Sequence, residues 1–155
     1  MAIRLRPLLL LLVLAALLTA CAPVKHPINP PNASIQQLDV LPDGRWQIQI
    51  RLENFSDLTV HYGAFKAVLR VGGADVGPIE MNANLDVPGE NADIIQTILS
   101  PGPDARRAFA ADISKPGGAE YEIKGSIEVP AAGKDFRFEH KSRLSAVPGV
   151  VNSYR

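Results

Sequence analysis

From Arg45 to Glu53 the chain reads Arg-Trp-Gln-Ile-Gln-Ile-Arg-Leu-Glu, and this strict alternation constrains the fold more than any other feature. Trp46, Ile48, Ile50 and Leu52 point one way, and Arg45, Gln47, Gln49, Arg51 and Glu53 point the other. Side chains along a strand change face at every residue, so this segment reads as a strand with one buried and one wet face. Pro42-Asp43-Gly44 just before it is turn chemistry, with the glycine able to take positive φ. Ser34 to Leu41 is then a partner strand across a hairpin, with Ile35 near its start.

The same pattern recurs. Phe65, Ala67, Leu69 and Val71 alternate with Lys66, Val68 and Arg70 until Gly72-Gly73 ends the run. Asp75 to Ile79 reads as the return arm, with Pro78 marking an edge position because proline cannot donate to a ladder. Asn84 to Val87 reads as another short piece, closed by Pro88-Gly89. Ala92 to Leu99 is more continuously apolar. Tyr121, Ile123, Gly125, Ile127 and Val129 alternate again, and Asp135 to Lys141 closes the set with Phe136 and Phe138 inward.

One stretch breaks the period. Residues 103–111 are alanine-rich with proline and aspartate at their head, which suits a helix of two or three turns. About seven short strands with turn signals between them predict an all-β fold. It is an immunoglobulin/fibronectin-like antiparallel β-sandwich with one short helix. Its expected core is Trp46, Ile48, Ile50, Leu52, Phe65, Leu69, Ile94, Ile98, Tyr121, Ile123, Ile127, Phe136 and Phe138. No repeated strand-helix-strand order appears, so a doubly wound α/β fold is not expected.

The first twenty residues read as an address label rather than as part of the fold. Arg4 and Arg6 precede an unbroken apolar run from Leu8 to Leu18. That run is shorter than the roughly 20 residues a membrane-spanning helix needs, and it has the flanks of a secretory signal peptide. Leu18-Thr19-Ala20-Cys21 follows, and Cys21 is the only cysteine of the 155 residues. No disulfide can form within the chain, so the apolar core must hold the fold alone.

These four residues resemble the lipobox of bacterial lipoproteins. The resemblance implies that Leu18, Thr19 and Ala20 are read by the signal peptidase. It also implies that the Cys21 thiol receives a diacylglyceryl group. More than one acyl chain on the processed cysteine would hold the protein stably at a membrane. By resemblance to the sorting rule of lipoproteins in enteric bacteria, Ala22 rather than aspartate after the cysteine implies the outer membrane, facing the periplasm of a bacterial cell envelope. The expected organisation is a signal peptide at 1–20, a lipidated proline-rich tether at 21–33, a β-sandwich at 34–145 and a C-terminal tail at 146–155. Pro23, Pro27, Pro30 and Pro31 make the tether an extended, semi-rigid spacer.

The strand order carries a second resemblance, over roughly residues 34–143. A strand running into Leu52-Glu53-Asn54-Phe55-Ser56, a pair of strands over Phe65 to Gly77, Pro88-Gly89 within an apolar stretch to Leu99, then a helix and two closing strands resemble a known family. It is the type-2 late-embryogenesis-abundant (LEA) family, also called water-stress and hypersensitive-response (WHy) domains. The usual Asn-Pro-Asn type of turn is replaced here by Asn54-Phe55-Ser56. Membership would imply a seven-stranded sandwich with a helix, no cofactor and an association with desiccation or other water stress. Asn54 is expected to satisfy backbone groups of its own turn.

Chemistry-bearing patterns are few. His26, His61 and His140 show no metal-ligand spacing with one another or with carboxylates, so no metal site is expected. Ser126 follows Gly125 inside a strand rather than at a nucleophile elbow. The glycine pairs at 72–73 and 117–118 precede strands, unlike phosphate-cradling loops. No catalytic residue, cofactor or small-molecule substrate is therefore assigned. Arg106-Arg107 is the only basic doublet, read first as a solvated face and second as a phosphate or lipid-headgroup contact.

The chain carries 16 basic and 16 acidic residues, and loss of Arg4 and Arg6 with the leader leaves 14 against 16. So balanced a charge gives no field to attract nucleic acid. The reading favoured by the sequence is a non-catalytic, membrane-anchored protein of desiccation or stress protection. Its competitor is an adaptor that binds an envelope protein by strand addition, and an envelope hydrolase ranks last.

Overall fold

The alternating segment forms β2 (Trp46–Asn54), and it pairs on one side with β1 (Asn32–Val40) and on the other with β5 (Asn91–Leu99). The computed structural model describes residues 27–155, and the leader, Cys21 and His26 lie outside them. The remaining elements are β3 (Val60–Val71), β4 (Ala74–Val87), helix α1 (Pro103–Ile113), β6 (Ala119–Val129), β7 (Lys134–Leu144) and β8 (Ser153–Tyr154). They build two antiparallel sheets, ordered β5-β2-β1-β8 and β4-β3-β6-β7. The described residues thus form an all-β sandwich with one α-helix, as the alternation requires.

Between the sheets lie Trp46, Ile48, Ile50 and Leu52 of β2, each at most 2% exposed, against Phe65, Leu69, Ile123 and Ile127 of the opposite sheet. Phe65 stacks on Phe138 with ring centroids 5.4 Å apart. Burying such side chains contributes about 1.5–3 kcal/mol each and replaces the missing disulfide. In β1 the register shifts between Ile35 and Gln37. The extra residue lets Ile35 and Leu38, three apart, both face inward. At the bulge the Ile35 amide donates to Tyr121 Oη of the other sheet at 3.1 Å.

Three expectations change. Ile94 and Ile98 were placed in the core, but they are 45% and 44% exposed, and Ile95 is the buried residue of β5. An isoleucine stands on both faces of this strand, so composition alone could not set the phase; the β2 register does, placing Ile95 opposite Ile50. Second, Asp75–Ile79 and Asn84–Val87 are one strand, β4, carried through a register irregularity beside Asn84, whose φ is 44°. Third, the strands among the described residues number eight. Residues 146–155, read from the sequence as a tail, fold back so that Ser153 and Tyr154 pair with Asp39 and Leu38.

Helix α1 begins with Pro103 at its first turn, where a missing N–H costs nothing. It crosses from β5 to β6 and buries Ala105 and Phe109. The Phe109 ring lies 5.0 Å from Trp46 and 4.9 Å from Tyr154, edge-on to the latter. The helix thereby closes the end of the sandwich that holds the β1–β2 turn.

Tyr62 on β3 is fully buried, and its hydroxyl finds no hydrogen-bond partner among the described residues. Burial pushes its pKa up to about 12. Removing a buried polar atom that bonds nothing also removes its desolvation cost. Tyr62→Phe is therefore expected to be neutral or to stabilise by about 1 kcal/mol. Urea unfolding, read as a midpoint shift at unchanged slope, measures this.

Candidate functional site

The loop after β2 is where the incoming chain is fastened. Asn54 is buried at the strand end, and its Nδ2 reaches the carbonyls of Leu58, Val87 and Pro88 at 2.8, 3.0 and 3.1 Å. Its Oδ1 accepts from the Ser56 amide at 2.9 Å. One side chain thus ties the Phe55–Thr59 loop to the turn between β4 and β5. Ser56, also fully buried, accepts the Glu90 amide on its carbonyl at 2.8 Å. Gly89 lets the two segments close, since a Cβ there would lie 2.6 Å from the Asp57 carbonyl.

Asn29 docks onto this clamp. Its amide donates to Ser56 Oγ at 3.0 Å, and its Nδ2 donates to the Phe55 carbonyl at 2.7 Å. Ile28 packs against the core beside it. The end of the proline-rich stretch is thus held by the domain, and β1 starts at Asn32. Phe55 is 54% exposed at this end of the molecule. Asn54 was expected to satisfy backbone groups, and it does so across two loops rather than one. The contacts of Asn29, Ser56 and Gly89 were not read from the sequence, because their partners are 26 to 34 residues away.

The outer face of the second sheet carries a lattice of paired charges. Lys124 Nζ lies 2.8 Å from Glu122 Oε1 and 3.2 Å from Glu139 Oε1, and Lys141 Nζ lies 3.1 and 3.2 Å from the same two oxygens. Register produces the square, because Glu122 stands opposite Lys141 and Lys124 opposite Glu139. Arg70 pairs with Asp75 at 2.9 Å, and Arg143 pairs with Glu120. A shallow groove of about 500 Å³ crosses this face, lined by Arg70, Glu120, Glu122, Lys141 and Arg143. Each of its cations already holds an acid, so the groove offers no uncommitted charge to a ligand.

The hydrogen bond from Lys124, then that from Lys141, brings the Glu122 pKa down to about 2 from the usual 4.5. A carboxylate depressed in the folded state adds stability above its unfolded pKa and loses it as pH falls through the folded value. Glu122→Gln should therefore flatten the loss of stability between about pH 4.5 and pH 2. The difference from wild type should shrink at 1 M salt, where screening acts within about 3 Å. Thermal melts across that pH range at low and high salt check both statements.

The histidines are not gathered. His61 Nδ1 lies 2.7 Å from Asp86 Oδ1 on β4, half exposed. His140 lies 6.0 Å from the Tyr121 ring, with Nδ1 3.5 Å from Asn32 Nδ2. His140 is opposite Ile123, and Ile123 is opposite Leu69, eight residues along β3 from His61. The two imidazoles are thus about 25 Å apart along the strands. Among the described residues no three His, Cys, Asp or Glu side chains are placed to hold a metal ion. Arg106 donates from Nε to the Pro101 carbonyl at 2.9 Å, and Arg107 pairs with Asp104. The two arginines thus have separate partners within or beside the helix.

No family model matches the chain, and no curated protein matches it. Solved structures do. The solution structure of AT1g01470 from Arabidopsis thaliana aligns with a TM-score of 0.56 at 12% identity, covering 84% of this chain and 92% of that one. The two share the sandwich fold. A protein from Archaeoglobus fulgidus aligns at 0.42 and 16% identity, over 75% of this chain and 94% of its own. A candidate LEA protein, At2g46140.1, aligns at 0.44 and 11% identity, over 72% and 67%.

Proposed function

We propose that this chain is a lipid-anchored envelope protein whose sandwich is a non-catalytic, LEA type 2-like module that protects through surface contacts when water is withdrawn. The observation that carries the reading is the docking of Asn29 on Ser56 and Phe55. It fixes the end of the domain from which the preceding chain departs. Eight residues separate Cys21 from Asn29, about 25 Å if extended. An acylated Cys21 would then hold the domain within that distance of a lipid surface, in the outer membrane facing the periplasm.

The LEA type 2 reading rests on the strand order and the Asn54 turn, with the shared fold of the Arabidopsis protein as support. The paired charges of the second sheet suit a surface that stays folded and soluble as its hydration changes. Survival after controlled drying tests the protective role. Cells lacking the gene should survive less well than wild type, and cells complemented with the Cys21→Ser form should not recover fully. Equal survival of the deletion strain would remove the protective role. Strand addition to an envelope protein is the competing reading, and the edge that bears on it is β5.

A further inference from the structure

The strands that border solvent are protected unequally. Exposed sheet edges invite pairing with other chains, and proteins blunt them with prolines, bulges, charges or shortness. Edge strand β4 has Pro78, two register irregularities and the acids Asp75, Glu80 and Asp86. β7 presents Lys134, Asp135, Arg137, Glu139, Lys141 and Arg143, and β8 is two residues long. β5 has no proline and no bulge, and its one charge is Asp93 near its start. Its register with β2 is unbroken from Asn91 to Leu99, and from Ile94 onward it contains no charge and no proline.

Among the described residues no strand pairs with the second edge of β5, and that edge can be assigned residue by residue. The amides of Ala92 and Ile94 bond the side chains of Asn91 and Asp93, at 2.8 and 2.7 Å. Those amides therefore point away from β2, and the two-residue period gives the same direction to Gln96 and Ile98. The same residues carry the exposed side chains Ile94, Gln96 and Ile98 on the outer face.

We infer that two copies of this chain pair through β5, antiparallel about Gln96, so that the β5-β2-β1-β8 sheet runs continuously through both. This register places Ile94 against Ile98 of the second copy and Gln96 against its own mate. On the inner face it places Ile95 against Thr97 and Asp93 against Leu99. On the outer face Ile94 and Ile98 meet, and no like charges oppose one another on either face, so the strand is its own complement. The Ile94 amide exchanges its local Asp93 bond for a ladder bond to the second copy. A single strand pair is a small contact, and pairing is concentration-dependent.

Cysteine pairing in the full-length chain tests the register. In a hydrogen-bonded antiparallel pair the facing Cα atoms lie about 5.5 Å apart, inside disulfide range. Position 94 would lie about 13 Å from its own mate, outside that range. Under mild oxidation Gln96→Cys should give a dimer whose disulfide maps to residue 96 in both chains, and Ile94→Cys should not. Adding Ile98→Lys to Gln96→Cys should abolish the product, because a charge then faces Ile94 of the second copy in place of an apolar side chain. No disulfide at 96, an equal yield at 94, or a link from 96 to a different protein would each overturn the inference. The last outcome would favour the adaptor reading.

Discussion

Replacing Asn54 by aspartate should destabilise this domain more than any other isosteric change on its surface loops. The amide nitrogen of Asn54 faces three carbonyl oxygens within 3.1 Å. A carboxylate in its place would turn three attractions into repulsions at a buried point. Asn54→Ala removes the attractions without adding repulsion, yet it strands buried carbonyls and the Ser56 amide. Each unpaired buried group costs about 1–3 kcal/mol. Alanine should thus cost at least about 3 kcal/mol, and aspartate more.

For a domain of this size that corresponds to a melting temperature lower by on the order of 10 °C. Ser56→Ala keeps the Asn54 contacts and loses only the bond from Asn29, so it should cost about 1 kcal/mol. The order Asp, Ala at 54, then Ala at 56, read by calorimetry, distinguishes a clamp from simple packing. Proteolysis adds a local readout: Ser56→Ala should expose the chain around Asn29 to cleavage while β2 and β5 stay protected.

What was legible in the sequence follows from how local its causes are. The face of β2 could be read directly because each position from 45 to 53 had an unambiguous partner in the alternation. The same held for β6, where Tyr121, Ile123 and Ile127 proved buried. β5 was read in the wrong phase because Ile94 and Ile95 are adjacent, and only pairing with Ile50 decides between them. The bulges beside Asn84 and between Ile35 and Gln37 displace the period by one residue, which an alternating template cannot anticipate.

The fastening of Asn29 to Ser56 and Phe55 shows a harder limit. The motif Asn54-Phe55-Ser56 could suggest a turn, and Asn54 was rightly given to backbone groups. That Asn29 would find Ser56 depends on β1 and β2 pairing antiparallel, with Asn32 opposite Glu53. The charge square was closer to reach. Glu122 and Lys124 on one strand, and Glu139 and Lys141 on the next, alternate outward with the same period, and a β6–β7 hairpin places them across from one another.

Cys21 carries the other large expected effect. Its thiol is the only one in the chain, and the apolar run before it is too short to serve as a stable span. If the anchor is the acylated cysteine, a change of one atom from sulfur to oxygen removes the nucleophile and leaves every contact of the sandwich in place. Folding should be unaffected, because the buried core of the sandwich is built from Ala33 onward. On this reading an uncleaved leader would still associate with membranes, so lipid content rather than location alone is the decisive quantity.

The direct measurement is metabolic labelling with a radioactive fatty acid, followed by fractionation, for wild type and Cys21→Ser. Wild type should be labelled, shortened by the leader and recovered with the outer membrane. The serine variant should carry no label. Label on Cys21→Ser, or none on wild type, would contradict a lipid-anchored sandwich.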